Sequence, residues 1–320
     1  MSIKRVVMFG GSGFIGRYLV KCFAENGYVI RIVTRYPEKA KQLKLCGNLG
    51  QVEVISGNVA NSEEVIEHIR DCNIVINLLG VLYSAKKSTF YDIHAKAAEN
   101  IAKAAKKCKV KLMIHFSAMG ITETQKSDYA KSKLIGENLV KSAFPDAVII
   151  RPNLVFGPED KFFNKFAQLS MIFPFLPVIG GGRAVFQPIY VDDLAKFVFS
   201  IVENSITDKL YNVCGPCTYS FKELLSFILN VTNRKSKLIN ISFGVTNILA
   251  FFCELRIISI FLKLITGTTD PILTRDQVKF IKDMTESHDI YPMNELKEIG
   301  VKLSTIENIV PKYLKIYKSF

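Results

Sequence analysis

The sequence contains no tryptophan and only four histidines, and the histidines are scattered, so no cluster suggests a metal centre. Its seven cysteines are odd in number and lack framework spacing, which argues against a secreted disulfide scaffold and for a reducing compartment. No signal segment opens the chain: Met1-Ser2-Ile3-Lys4-Arg5 runs directly into the apolar residues Val6 to Phe9, without an h-region or cleavage signature. A cytoplasmic protein is expected. Repeats and low-complexity tracts are also missing, and so is a membrane span. The most apolar stretch, Phe243 to Ile265, is interrupted by Glu254, Arg256 and Lys263, whereas a helix crossing lipid needs roughly 20 mostly apolar residues. Two readings of that stretch remain: an internal helix of a second domain, or an interfacial helix on a membrane or a membrane-protein partner.

Positive charge is what the chain has in excess, a formal net +13. Such a balance suits a phosphate-bearing cofactor, an acidic membrane surface or nucleic acid. Nucleic acid is set aside, because neither a recognised motif nor a stripe of clustered aromatic and basic residues accompanies the charge. Much of it is solvated surface, as with Lys103, Lys106 and Lys107 on neighbouring turns of one predicted helix. With 320 residues, 49% of them hydrophobic, the chain can bury a large core.

Short β-branched runs alternate with stretches long enough for helices. The runs are Val6–Phe9, Val29–Thr34, Val52–Ser56, Ile74–Leu79, Leu112–Ser117 and Val148–Arg151, and the connecting stretches include Phe14–Asn26, Ser62–Arg70 and Phe90–Lys107. This alternation predicts an α/β fold of the Rossmann type, a doubly wound parallel sheet with crossover helices. After Pro152 the texture changes and Gly and Pro cluster. The expected division is a dinucleotide-binding domain over residues 1–155 and a smaller C-terminal α/β domain over 156–320, with some of its segments returning to the sheet.

The chemistry begins at Gly10-Gly11-Ser12-Gly13-Phe14-Ile15-Gly16, which follows the first predicted strand and opens the first helix as a dinucleotide fingerprint requires. Gly10 allows the tight turn, Gly13 lets the backbone approach a pyrophosphate, and Gly16 permits close packing of helix on strand. The free amides and partial positive charge of the helix N-terminus then receive the phosphates. An NAD-selective fold usually ends its second strand with an acidic residue, but Thr34-Arg35 stands there. Arg35, with Lys39 as a helper, suits a 2′-phosphate, so NADP(H) is the expected cofactor, with NAD(H) the other candidate.

Glycines at 10, 13 and 16 form the Gly-x-x-Gly-x-x-Gly variant, which resembles the extended and atypical short-chain dehydrogenase/reductases of the epimerase/dehydratase type. The resemblance implies adenine contact at Gly57-Asn58-Val59, where Asn58 replaces the usual aspartate, and a cofactor-side turn at Asn77-Leu78-Leu79-Gly80. Tyr129 and Lys133 have the Tyr-x-x-x-Lys spacing, which places both on one helix face, where an ammonium would lower the tyrosine's pKa for proton transfer. Ser117 matches the carbonyl-polarising serine, although the twelve positions separating it from Tyr129 leave little room for a nucleotide-sugar loop. His94 and His115 are read as structural. Pro152 and Asn153, in Arg151-Pro-Asn-Leu-Val-Phe-Gly-Pro158, match the segment that passes the nicotinamide.

Cys214-Gly-Pro-Cys217 has the letters of a thioredoxin motif, and a dithiol oxidoreductase is a remote alternative. The stretch from Arg151 to Asn164, with Leu176–Gly182, Phe186–Asp192 and Leu273–Val278, is similar to the NAD(P)H-binding accessory branch associated with respiratory complex I and its bacterial relatives. That resemblance implies a largely structural NADPH beside complex I subunits, at an anionic inner-membrane surface and its quinone. The lack of a presequence suggests a bacterial member, peripheral on the cytoplasmic face. The other reading is an active NADP(H)-dependent reductase or epimerase working on a quinone or carbonyl through Ser117, Tyr129 and Lys133.

Overall fold

The computed structural model describes residues 4–84, 89–204, 208–255, 271–287 and 302–319. Six strands, β1 (Arg5–Phe9), β2 (Val29–Thr34), β3 (Val52–Ser56), β4 (Ile74–Asn77), β5 (Leu112–Phe116) and β6 (Val148–Pro152), join the strand Leu210–Val213 in one seven-stranded sheet. Every pairing in it is parallel. The order runs Leu210–Val213, β6, β5, β4, β1, β2, β3. The chain therefore reverses direction across the sheet between β1 and β4, and a crevice opens at the carboxyl ends of strands flanking such a switch point.

Alternation along the strands feeds two cores. Val6 and Met8 of β1, with Ile30 and Ile32 of β2, meet Leu19, Val20 and Phe23 of α1 (Phe14–Glu25) on one face. Val7 and Phe9, with Val33 and Val75, meet the other face's helices: α2 (Ser62–Ile69), α3 (Ala97–Lys107) and α4 (Asp128–Ala143). Side chains two apart point the same way on a strand, so both faces of a parallel sheet are filled from one continuous apolar run.

Beyond β6, α5 (Phe163–Ile172), α6 (Val191–Asn204) and α7 (Phe221–Thr232) follow. Leu194, Phe197, Val198 and Ile201 of α6 return to the α1 side of the sheet. A separate cluster gathers Phe156, Phe163, Val178, Phe221, Leu225 and Ile228 with Ile306, Val310 and Leu314 near the C-terminus.

Two expectations need correcting, and one of the two readings of the apolar stretch is set aside. β4 ends at Asn77, not Leu79, because the side-chain Oδ1 of Asn77 accepts the Leu79 N–H at 3.1 Å and turns the chain. The stretch Phe90–Lys107 is not a single regular helix, since Asp92–Lys96 forms a wider π-type turn ahead of α3. Finally, α8 (Phe243–Glu254) is not internal. It turns Thr246 and Ala250 inward, while Val245, Ile248, Leu249, Phe252 and the following Leu255 face outward, Ile248 at 59% and Phe252 at 49% exposure. Their spacing of three and four residues makes one apolar stripe on the surface. The remainder of the expected apolar stretch, 256–265, lies outside the described residues.

Candidate dinucleotide and Tyr–Lys site

The phosphate turn sits at the switch point. Gly10 has φ +83°, and a Cβ there would lie 3.2 Å from the Leu78 carbonyl, so the turn after β1 passes directly over the turn after β4. Gly13 begins α1 in extended conformation, donating its N–H to the Gly10 carbonyl at 3.0 Å. No side chain caps the helix and no acidic residue lies in its first turn, which leaves its leading amides and partial positive charge for an anion. A Cβ on Gly16 would sit 2.5 Å from the Gly11 carbonyl oxygen, so the helix approaches the turn as closely as backbone allows. Ser12 donates its hydroxyl to Thr34 Oγ1 at 3.3 Å, and Arg17, which sequence reasoning missed, folds back to donate to the Ser12 carbonyl at 3.2 Å. Phe14 packs edge-on to Tyr18, and Ile15 leans on the α1 core.

At the end of β2, Arg35 and Lys39 stand over the Tyr36 ring at 5.9 and 4.9 Å from its centroid. Both cations are exposed, and neither is ion-paired among the described residues. After β3, Asn58 Oδ1 accepts the Ala60 N–H at 3.1 Å and the Asn58 N–H goes to Glu64 at 2.9 Å. The carboxamide oxygen is thereby committed to its own turn, and the NH2 group is what an adenine edge would meet. Val59 packs on the core beside α3, its carbonyl held by Asn100 at 3.2 Å.

After β4 the wall of the site is polar and buried. Asn77 is fully buried and donates to His115 Nδ1 at 3.0 Å, which assigns the imidazole proton to Nε2, an atom with no partner among the described residues. Burial, aided by Lys133, pushes the His115 pKa down to about 3. His94 Nε2 accepts the Val81 N–H at 3.0 Å, its Nδ1 donates to Ser132 Oγ at 2.8 Å, and Ser132 donates on to the Tyr129 carbonyl at 2.8 Å. Burial holds His94 neutral too, near 2. Both histidines therefore act as fixed, uncharged hydrogen-bonding groups.

Lys133 is buried and donates from Nζ to the Phe116 carbonyl at 3.0 Å, which fixes it against the residue preceding Ser117. A Cβ on Gly80 would lie 3.4 Å from the same Nζ, so Leu79 and Gly80 pass alongside it. Burial pushes the lysine's pKa down to about 8, with Glu137 opposing. Glu137 is itself buried and grips Arg151 bidentately at 2.8 and 2.6 Å, locking α4 to β6. Ser117 Oγ is buried without a hydrogen-bond partner among the described residues, a condition that a ligand oxygen would relieve.

Tyr129 differs from expectation. Its ring is packed edge-on by Phe90, His94 and Phe280, at centroid separations of 5.9, 5.4 and 5.6 Å, and burial pushes its pKa up to about 12. The expected lowering by Lys133 is corrected: the ammonium is turned to the Phe116 carbonyl, and loss of solvent around the phenol dominates. Pro152 accepts the Met119 N–H at 3.0 Å, and Asn153 Oδ1 accepts the N–H groups of Leu154 and Gln187 at 2.7 and 2.9 Å. That carboxamide shapes its loop, leaving a cofactor only the backbone to pass.

The cover over Tyr129 was not legible beforehand. In the helix Arg275–Ser287, Asp276 accepts from Ser127 Oγ at 2.9 Å and from the N–H groups of Asp128 and Tyr129 at 2.7 and 3.1 Å. The acidic Pro158-Glu159-Asp160 segment proves architectural. Asp160 is buried, accepting from the Phe163 N–H and the Tyr313 hydroxyl, both at 2.6 Å, while Glu159 takes the Tyr18 hydroxyl at 2.8 Å. Cys214 and Cys217 are both thiols, with Cys214 buried at the end of its strand and only Cys217 exposed. A reactive dithiol presents its leading cysteine at the surface, so the geometry gives that reading no support. Among the described residues no group of side chains suits a metal, and no helix is long and apolar enough to cross a membrane.

Comparison with known proteins agrees with this architecture. The chain is 31% identical over 316 residues to the mitochondrial NADH dehydrogenase [ubiquinone] 1 alpha subcomplex subunit 9 of Dictyostelium discoideum, covering 97% of this chain and 84% of that one. It is 27% identical over 321 residues to the 40 kDa subunit of NADH-ubiquinone oxidoreductase of Neurospora crassa, covering 98% and 79%. A solved nucleoside-diphosphate-sugar epimerase from Staphylococcus aureus shares the fold at a TM-score of 0.71 and 16% identity, over 97% of this chain and 99% of that one. Residues 6–214 match the model of one family, and with the glycine turn at its switch point the chain belongs to the NAD dependent epimerase/dehydratase family.

Proposed function

We propose that this protein holds NADP(H) in a largely structural role, as an accessory or assembly subunit of the respiratory complex I type. The observation that carries the reading is a contrast within one site: the phosphate turn is uncapped and open, whereas the ring of Tyr129 is packed on by Phe90, His94 and Phe280. The leading amides of α1 bind the pyrophosphate. Arg35 and Lys39, free of acidic partners, take the 2′-phosphate, and Asn58, Val59, Leu79 and Gly80 line the adenine and nicotinamide sides. Lys133 donates to the nicotinamide ribose once it leaves the Phe116 carbonyl. When bound, the dinucleotide would supply hydride-carrier chemistry, and the residues of the turns after β1, β2 and β4 would hold it. The outward stripe of α8 and the basic net charge support a peripheral position at an anionic cytoplasmic membrane face beside complex I subunits.

Two measurements test this. Mass spectrometry of nucleotide released from the purified, denatured protein should find NADPH or NADP+. Deleting the gene should lower assembled complex I on native gels, and unchanged levels would count against the accessory role.

A second reading, an active reductase on a quinone or carbonyl, is favoured by the unpartnered Ser117 hydroxyl beside Lys133. In it Tyr129 delivers the proton, Ser117 orients the carbonyl and Lys133 holds the ribose. Oxidation of NADPH with any member of a quinone and carbonyl panel, abolished by Tyr129→Phe, is its test.

A further inference from the structure

We propose that the helix Arg275–Ser287 is an autoinhibitory strap: it packs over one side of the half-buried Tyr129 and narrows the approach of substrate, and access to the phenol widens when the strap lifts. The proposal rests on reading Tyr129 as the proton-bearing group, but it needs neither bound cofactor nor complex I for its test.

The strap is attached on both sides of the tyrosine. On one side Asp276 caps the start of α4 through Ser127, Asp128 and Tyr129, and Asp283 accepts the Lys126 N–H at 2.9 Å. A carboxylate at a helix N-terminus is favoured by the helix dipole as well as by the bonds it accepts. On the other side Gln277 donates to the Leu82 carbonyl at 3.3 Å, two residues beyond Gly80. Phe280 lies against the ring of Tyr129 itself. The helix thus bridges the start of α4 and the backbone just beyond Gly80, on two sides of Tyr129.

How the strap is anchored argues for reversible closure. Of its described side chains Val278 alone is buried, while Phe280 and Ile281 pack half-buried, so little apolar surface is sealed beneath it and its attachment leans on the polar contacts above. An element with few buried apolar contacts opens below the free energy of global unfolding. By contrast β4 and β5 are sealed in the sheet, with Val75, Ile76, Met113 and Ile114 all fully buried.

The test is native-state hydrogen exchange on the full chain without added nucleotide, read by mass spectrometry. The N–H groups of Asp128 and Tyr129 report on the strap directly, because Asp276 is their acceptor. They and the 275–287 helix should open together, roughly a hundredfold more often than β4 and β5. Asp276→Ala should speed exchange at Asp128 and Tyr129 by roughly tenfold and leave β4 and β5 unchanged, with Asp276→Asn between the two. Acetylation of Tyr129 by N-acetylimidazole, followed by peptide mapping, should rise in step. Wild-type protein in which the strap exchanges only together with the sheet overturns the proposal, a result that does not depend on how any variant folds. Equal acetylation of Tyr129 in wild type and Asp276→Ala overturns it as well.

Discussion

Replacing Arg35 by alanine is the sharpest probe of cofactor choice. Arg35 and Lys39 are the cations at the end of β2, both free of carboxylates among the described residues and both resting on Tyr36. A charge-assisted hydrogen bond contributes about 1.5–3 kcal/mol net. Arg35 is exposed, so solvent and salt screening place it at the lower end, about 1.5 kcal/mol. At about 1.4 kcal/mol per factor of ten, Arg35→Ala should weaken NADPH binding roughly tenfold. NADH lacks the 2′-phosphate and should bind the variant as it binds the parent. Lys39 remains to supply part of the field, so Arg35→Ala/Lys39→Ala should bring the two coenzymes level. Isothermal titration calorimetry at low and moderate salt measures all of this, and the NADPH preference should shrink as salt rises. Equal affinity for NADH and NADPH in the wild type, or an equal loss of both in Arg35→Ala, would refute the assignment of Arg35 to the phosphate.

Three further outcomes follow from the geometry. Gly16→Ala should weaken dinucleotide binding by roughly tenfold or more, because its Cβ would lie 2.5 Å from the Gly11 carbonyl oxygen and must displace α1 from the turn; titration of cofactor fluorescence reads it. Glu137→Gln leaves the Arg151 guanidinium without its anion behind α4 and should cost about 3 kcal/mol in urea unfolding, near the low end for breaking a buried pair because Arg151 keeps some exposure. Lys133, held down to about 8 by burial, binds fewer protons folded than unfolded between that value and its ordinary 10.5, so its contribution should improve stability as pH rises through that window. Lys133→Met should remove this rise and increase the thermal midpoint at pH 7; an identical pH profile in wild type and variant would contradict it.

The sheet was legible because its strands are rich in β-branched residues between turn signals, the central β1 and β4 being apolar on both faces and β2 and the edge strand β3 carrying one polar residue each inside the run, Arg31 and Glu53; β2 and β3 match the observed bounds. The phosphate turn was legible because the tight turn and close helix approach restrict Gly10 and Gly16 to one residue type. What could not be read is tertiary. Nothing in Arg275-Asp276-Gln277 announces that its carboxylate would cap a helix that begins at Asp128, since that contact joins segments 148 positions apart. The tyrosine's pKa failed for a similar reason: helical spacing puts Tyr129 and Lys133 on one face, but the spacing does not reveal that the ammonium turns toward Phe116 or that Phe90 and Phe280 pack on the ring. The apolar stretch at α8 left two readings open because its composition is the same whether the stripe faces in or out.

Arg275 joins two features otherwise described apart. Its N–H and guanidinium both bind Glu254 at 2.8 Å, and the guanidinium lies over Phe251, so the last turn of α8 and the first turn of the 275–287 helix are hinged on one residue. Any partner that settled on the greasy side of α8 would therefore pull on the same joint that carries the helix over Tyr129, so that the proposed attachment and the proposed strap would share one mechanical link.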